Sequence, residues 1–98
     1  MTPRFSVRTV SQFDRLLRSL NQRHPELERL YAIALEILHR DPLNLSHQHN
    51  IKKLAGVGAG TGGKYRLALR RFRFRYDIEK REVILYYCGL RSEDTYRA

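Results

Sequence analysis

Two runs of alternating apolar and polar residues in the C-terminal half constrain the fold more than any other feature. Positions 65–69 read YRLAL and positions 72–77 read FRFRYD, with Arg70 and Arg71 between them. A period of two places successive side chains on opposite faces of a sheet, so each run predicts a strand with one apolar face. Residues 83–88, VILYYC, follow a turn at Glu79-Lys80-Arg81 and are apolar on both faces, which is typical of a central strand.

The N-terminal half has a short alternating strand at residues 5–10 and then changes to helical periodicity. Ser11 and Asp14 have the spacing of a capping box, which predicts a helix start. Pro25 suits the first turn of a second helix, and Asp41-Pro42 ends that helix. Apolar residues recur at helical spacing in both segments: Phe13, Leu16, Leu17 and Leu20, then Leu27, Leu30, Tyr31, Ala34, Ile37 and Leu38.

These patterns predict a single α+β domain over residues 1–98. The expected order is an N-terminal strand, an antiparallel two-helix hairpin, a loop over 43–63, and a mostly antiparallel sheet of three further strands, with the helices on one face. The one cysteine, Cys88, excludes an internal disulfide. No apolar run approaches the roughly 20 residues that span a bilayer, and no apolar leader precedes the domain, so we expect a cytoplasmic protein without a membrane partner.

The stretch GAGTGGKYR at positions 58–66 matches parts of two nucleotide-binding motifs. Gly58, Gly60 and Gly63 fit the dinucleotide pattern, and Gly58, Gly63 and Lys64 fit most of a P-loop. Both motifs need a helix after the glycines, and a P-loop also needs Ser or Thr after the lysine. Here Tyr65 follows Lys64 and begins a strand pattern. We therefore predict no nucleotide site and no cofactor.

Charge is the strongest guide to partners. Nineteen Lys and Arg against ten Asp and Glu give a net charge of +9, which favours a polyanion or an acidic protein as partner. In the second alternating run Arg71, Arg73 and Arg75 are predicted to share one face, where they would follow a nucleic-acid backbone. His47 and His49 have no third ligand in view, so we expect no metal site.

Three segments resemble toxins of the RelE/ParE superfamily from bacterial toxin–antitoxin systems. They are IKKLAG at 51–56, YRLALRRFRFRYDI at 65–78 and VILYYCGLRSEDTYR at 83–97. The shared features are a K-L-x-G segment, a Y-R-[IL] strand, a tight turn, a [YF]-R-[VF]-x-Y strand, an apolar strand and a late G-x-R…Y. The preceding helical hairpin fits as well, so the resemblance covers nearly the whole chain.

The resemblance implies an activity and a set of site residues. RelE-like members cut mRNA on the ribosome through the RNA's own 2′-OH, without a metal. Carried onto this sequence, the family's catalytic positions fall on Arg73, Arg91 and Tyr96. Arg73 would stabilise the charged phosphate, Arg91 would orient it or assist the leaving oxygen, and Tyr96 would stack on a base or help activate the 2′-OH. The residues expected to bind RNA are Lys64, Arg66, Arg71 and Arg75.

The alternatives come from departures within the same family. Ala68 stands where RelE-like toxins often carry a second basic residue, and no histidine follows His49. ParE-like members inhibit DNA gyrase and have no nuclease site, so gyrase is the alternative target to ribosome and mRNA. A third hypothesis is an inactive basic domain. In each case the resemblance implies a small acidic antitoxin as partner, with operator DNA contacted only through that antitoxin.

Overall fold

The computed structural model describes residues 4–54 and 63–94, with the side chains of residues 93 and 94 left out. Its elements are β1 (Ser6–Thr9), α1 (Ser11–Arg23), α2 (Leu27–Arg40), β2 (Ile51–Lys53), β3 (Tyr65–Leu69), β4 (Phe72–Glu79), β5 (Glu82–Leu90) and α3 (Arg91–Asp94). The five strands form one sheet in the order β1-β5-β4-β3-β2. Only the β1–β5 pair is parallel. The predicted α+β fold is therefore confirmed.

The core lies between the two long helices and one face of the sheet. Phe13 and Leu20 of α1 and Leu27, Ala34 and Leu38 of α2 are buried. They join a single cluster with the apolar face of the sheet, to which β3, β4 and β5 contribute Leu67, Phe72, Phe74, Tyr76, Val83, Leu85 and Cys88. The predicted apolar stripes of both helices thus face the sheet. Burial of these side chains is the main force that holds the helices on the sheet.

The interior position of β5 explains its two apolar faces. Val83 and Leu85 belong to the core cluster, whereas Ile84 between them is 1% exposed and lies on the opposite side of the sheet. This strand pairs with β1 on one edge and β4 on the other. The expectation of an internal strand over residues 83–88 is confirmed.

The predicted helix start at Ser11 is confirmed, but three local details of the prediction are wrong. The capping box does not form, because Val10 is the N-cap residue and no side chain caps that end of α1. Pro25 lies before α2, which begins at Leu27. Residues 51–53, predicted as loop, form the edge strand β2 beside β3. With only Ile51 apolar among these strand residues, the segment carries too little alternation to reveal a strand, and pairing with β3 provides what its own pattern lacks.

Candidate nucleic-acid interface

The face of the sheet opposite the helices, here the outer face, carries a row of basic side chains that crosses three strands. Lys52 of β2 pairs with Arg66 of β3, and Arg66 pairs with Arg75 of β4. Neighbouring strands lie about 4.8 Å apart, so these residues are immediate neighbours across the sheet. Adjacent like charges destabilise a sheet unless anions lie between them, which makes this row a candidate anion-binding surface.

The sequence gives no sign that Lys52 belongs to this row, because the pattern of its segment predicts a loop. The structure places its Cα opposite that of Arg66 and leaves it exposed, whereas Arg66 and Arg75 are half-buried. Two of the residues predicted to bind RNA, Arg66 and Arg75, therefore share this row, and Lys52 extends it to the sheet edge.

Acidic residues on the outer face lie toward the opposite end of β4 and β5. Asp77 is paired with Ile84, Glu79 is paired with Glu82, and the Glu82 carboxylate lies 3.4 Å from Nε of Arg8. The end of the sheet near Phe72 and Leu90 has Arg73 and Arg91 instead. Arg73 and Arg91 thus lie toward the end of these strands that is away from Asp77, Glu79 and Glu82.

Arg75 is held against the last residue of the glycine-rich stretch. Its Nη2 donates to the Gly63 carbonyl at 3.0 Å, and its Nε is buried without a hydrogen-bond partner. Gly63 has a φ of 102°, and a Cβ there would lie 2.6 Å from the Tyr76 amide nitrogen. Only glycine fits this approach to β4, so Gly63 fixes the chain beside the basic row.

Arg73 and Arg91 lie toward the same end of β4 and β5. Arg73 pairs across the sheet with Gly89, and Arg91 begins α3 directly after β5, with its amide donating to the Arg71 carbonyl at 2.7 Å. Nη1 of Arg73 also donates to the carbonyls of Arg70 and Phe72, at 2.8 and 2.9 Å. Those bonds orient the guanidinium beside the turn. Tyr96, the third predicted catalytic residue, lies outside the described residues.

Arg71 does not belong to this face. It sits in the turn before β4, and its Nη2 contacts the Glu26 carboxylate at 2.5 Å and His24 Nδ1 at 2.9 Å on the helical side. The Arg71 guanidinium lowers the pKa of Glu26 through this hydrogen bond. The predicted grouping of Arg71 with Arg73 and Arg75 is wrong, because the alternation ends at the turn and the nearby carboxylate draws Arg71 to the other side.

Lys64 also differs from a P-loop lysine in its surroundings. Its amide donates to Asp77 Oδ1 at 2.6 Å, and the chain enters strand β3 at Tyr65. No helix N-terminus follows, as the sequence predicted. A cavity of about 260 Å³ adjoins this position, lined by Lys53, Lys64, Tyr65, Asp77, Ile78, Glu79 and Tyr86.

None of the four histidines lies in the outer-face row. His24 contacts Arg71 on the helical side, and His39 Nδ1 lies 2.8 Å from the Phe5 carbonyl. His49 lies 3.8 Å from Asp41 Oδ2 in the loop after α2, and His47 precedes it there with a φ of 61°. Among the residues that the structure describes, no group of three or more His, Cys, Asp or Glu side chains is placed to hold a metal ion.

A second concave surface lies on the helical side. A cavity of about 590 Å³ between α2 and the β3–β4 turn is lined by Glu26, Arg29, Leu30, Ile33, Arg70, Arg71 and Phe72. Its lining combines Ile33, which is 43% exposed, with the guanidinium groups of Arg29 and Arg70, while its one carboxylate, Glu26, is paired with Arg71. This mixture suits an amphipathic acidic segment better than a small polar ligand.

Comparisons of the chain with protein-family models, with curated proteins and with solved structures found no match. Within residues 4–54 and 63–94, no helix has the length and apolar character needed to cross a membrane.

Proposed function

We propose that the protein is a RelE-like toxin that cleaves mRNA on the ribosome. The observation that carries the proposal is the basic row of Lys52, Arg66 and Arg75 across the outer face, with Arg73 and Arg91 at its end. These basic side chains lie on the face of the sheet opposite the helices, which supports phosphate binding there. The resemblance of the three C-terminal segments to RelE/ParE toxins supports the same function.

In the proposed reaction the 2′-OH of the RNA attacks the adjacent phosphorus. The P–O5′ bond breaks, leaving a 2′,3′-cyclic phosphate and a 5′-OH, and the proton lost by the 2′-oxygen is balanced by the proton gained by the 5′-oxygen. Negative charge builds on the pentacoordinate phosphate, where Arg73 and Arg91 would stabilise it. Tyr96 is proposed to stack on a base or to assist the proton transfer.

The test is translation of a defined mRNA in a cell extract, with primer extension to map cleavage. Arg73→Ala and Arg91→Ala are expected to slow cleavage by about 10²- to 10³-fold, the usual cost of removing one transition-state donor. Tyr96→Phe is expected to slow it as well. Arg18→Ala removes the same charge from an exposed position on α1 and is the matched control. Cleavage should continue in EDTA once the ribosome's own magnesium requirement is controlled separately.

A gyrase inhibitor of the ParE type is the second candidate. The observation in its favour is that the four histidines lie away from the basic row, so the described part of the outer face offers no imidazole base. A gyrase supercoiling assay run in parallel separates the two. Growth arrest with intact mRNA and trapped gyrase–DNA complexes would overturn the ribonuclease proposal.

The proposed partner is a small acidic antitoxin, through which the complex would contact operator DNA. The cavity lined by Ile33, Arg29 and Arg70 supports a site for an acidic amphipathic segment. Ile33→Asp should weaken the complex with the product of a neighbouring acidic reading frame, whereas Arg18→Ala should leave it nearly unchanged. If that product binds no better at low salt than an unrelated acidic protein, the partner proposal fails.

A further inference from the structure

Tyr87 lies on the outer face because of a local irregularity in the sheet. In β5 Leu85 pairs with Tyr76 and Tyr87 pairs with Arg75, so Tyr86 is an extra residue opposite the Arg75–Tyr76 step. Without that bulge, strict alternation from Val83 and Leu85 would direct residue 87 into the core. Bulges re-aim side chains in this way and are frequent beside functional sites.

The ring of Tyr87 extends along the strand over Gly89. A Cβ at Gly89 would lie 2.2 Å from the Tyr87 hydroxyl oxygen and 2.8 Å from its Cζ. Residue 89 must therefore be glycine for the ring to occupy this place. Because Tyr87 and Gly89 pair with Arg75 and Arg73 respectively, the ring runs beside both arginines.

We propose that Tyr87 is a stacking surface for a nucleobase of single-stranded RNA, placed between the phosphate contacts of Arg73 and Arg75. This inference rests on the proposed function and adds a substrate-contacting residue to it. The face of a tyrosine ring accepts any base by stacking, and the flanking guanidinium groups bind the backbone on either side. The half-buried ring and its support on Gly89 fix its orientation before RNA arrives.

Stacking is separated from charge by comparing two oligomers of equal length. One is a short single-stranded RNA with 2′-O-methyl groups, which prevent cleavage, and the other is an abasic ribose-phosphate oligomer of equal charge. The wild-type protein is expected to prefer the base-bearing oligomer by about 5- to 150-fold. Tyr87→Leu should lose most of that preference and keep its salt dependence, whereas Tyr87→Phe should retain it.

A spectroscopic measurement provides an independent readout. The chain contains no tryptophan, so Tyr87→Trp introduces a single emitter at the proposed platform. Its fluorescence should be quenched by the base-bearing oligomer and not by the abasic one. Phe5→Trp is the control, because Phe5 lies under Arg81 at the β1 side of the sheet.

The results distinguish failure of this inference from failure of the proposed function. Equal binding of the two oligomers to wild type, or full preference retained in Tyr87→Leu, would overturn the stacking role even if mRNA is cleaved in the extract. Conversely, base-dependent quenching with intact mRNA would keep the platform and remove the ribonuclease. If Tyr87→Trp does not fold, the oligomer preferences of wild type and Tyr87→Leu decide the question alone.

Discussion

The two faces of β4 have opposite character although they alternate residue by residue. Phe72, Phe74 and Tyr76 face the helices and are at most 1% exposed. Arg73 and Arg75 face outward, where each guanidinium bonds to backbone carbonyls and stays half-buried. One strand thus supplies both the packing that holds the domain together and the charge that we propose it uses. Substitutions at positions 72, 74 and 76 should therefore mainly affect stability, and substitutions at positions 73 and 75 should mainly affect binding.

Contacts on the helical face link β4 to all layers of that side. The ring of Phe74 lies 6.1 Å from that of Tyr31, which lies 5.9 Å from Phe13. The Tyr76 hydroxyl donates to the Pro42 carbonyl at 2.6 Å, and burial raises the pKa of this phenol, so it stays neutral. These rings connect α1, α2, the following loop and the sheet, which makes the helical face the main source of stability.

The largest effect is expected from removing one of these rings. Phe74→Ala should lower the free energy of unfolding by about 3–5 kcal/mol, since it deletes a fully buried aromatic side chain and leaves a cavity. Urea denaturation measures the change. The adjacent Arg75→Ala should cost less than about 1.5 kcal/mol, because it removes one hydrogen bond. Similar losses in the two variants would contradict the division between the faces.

Gly63→Ala tests the point where the glycine-rich stretch meets the sheet. The left-handed φ and the approach to the Tyr76 amide leave no room for a methyl group. We expect a loss of about 2 kcal/mol or more in the free energy of unfolding, as strain and clash add. Ala68→Gly, at an alternating position of β3, is the comparison and should cost about 0.5–1 kcal/mol. A stable Gly63→Ala protein would show that this approach is dispensable.

Much of the division between the faces follows from the sequence. The alternation of residues 72–76 places three aromatic residues on one side and Arg73 and Arg75 on the other, as the structure confirms. Residues 83–85 are likewise apolar on both faces of the strand, as expected for a strand in the interior of the sheet. These features depend only on the alternation of side chains between the two faces of a strand. A sequence period of two shows that alternation directly.

The remaining parts of the site depend on tertiary contacts that no local pattern encodes. Tyr87 reaches the outer face through a bulge whose position is set by the register with β4. Arg71 leaves the row because Glu26, distant in sequence, offers a carboxylate. Lys52 joins the row only because β2 pairs with β3. Periodicity cannot show which strands are neighbours or which residues are paired across them. The sequence alone therefore does not place these three residues correctly.

The salt dependence of RNA affinity should show whether Arg75 lies on the binding face. If it makes one phosphate contact, Arg75→Ala should reduce the slope of log affinity for single-stranded RNA against log salt by about one unit. That equals about a tenfold difference in affinity over a tenfold change in salt. Arg18→Ala should leave the slope unchanged. The measurement is a fluorescence anisotropy titration at several salt concentrations, and an unaltered slope for Arg75→Ala would place it off the binding face.

The loop after α2, on the helical side, should make the stability of the fold depend on pH. Partial burial alone would raise the pKa of Asp41, but hydrogen bonds from the Ser46 hydroxyl and the amides of Leu45 and Ser46, with His49 nearby, lower it overall. A lowered pKa stabilises the fold above the unfolded value of about 3.9, and this contribution disappears as pH falls through the folded pKa. Asp41→Asn should cost about 1 kcal/mol at pH 7.

The pH dependence is read as a difference between wild type and Asp41→Asn in urea denaturation. The gap should narrow as the pH falls from the unfolded pKa and close below the folded pKa, because the wild-type carboxyl is then protonated in the folded and the unfolded state. RNA affinity at pH 7 should be the same in both proteins, since the loop contacts Tyr76 through Pro42 on the helical side. A gap that stays the same size as the pH falls through and well below the unfolded pKa would assign the effect to the shape of the loop and not to its charge.

The smallest effect is expected at the turn between β4 and β5, which belongs to neither face. Lys80 is exposed and has a φ of 57°, a left-handed conformation that penalises a side chain with a Cβ. Lys80→Gly should therefore raise the free energy of unfolding by about 0.5–1 kcal/mol, the gain in backbone fit being partly offset by the entropy of glycine in the unfolded chain. Arg81→Gly is the matched control: residue 81 has no positive φ and its guanidinium lies 4.5 Å from the Phe5 ring, so this change should lower stability. Neither Lys80→Gly nor Arg81→Gly should alter the base preference of RNA binding, because both positions lie beyond Glu79, the last residue of β4. A Lys80→Gly protein that loses RNA affinity would extend the binding surface to this turn.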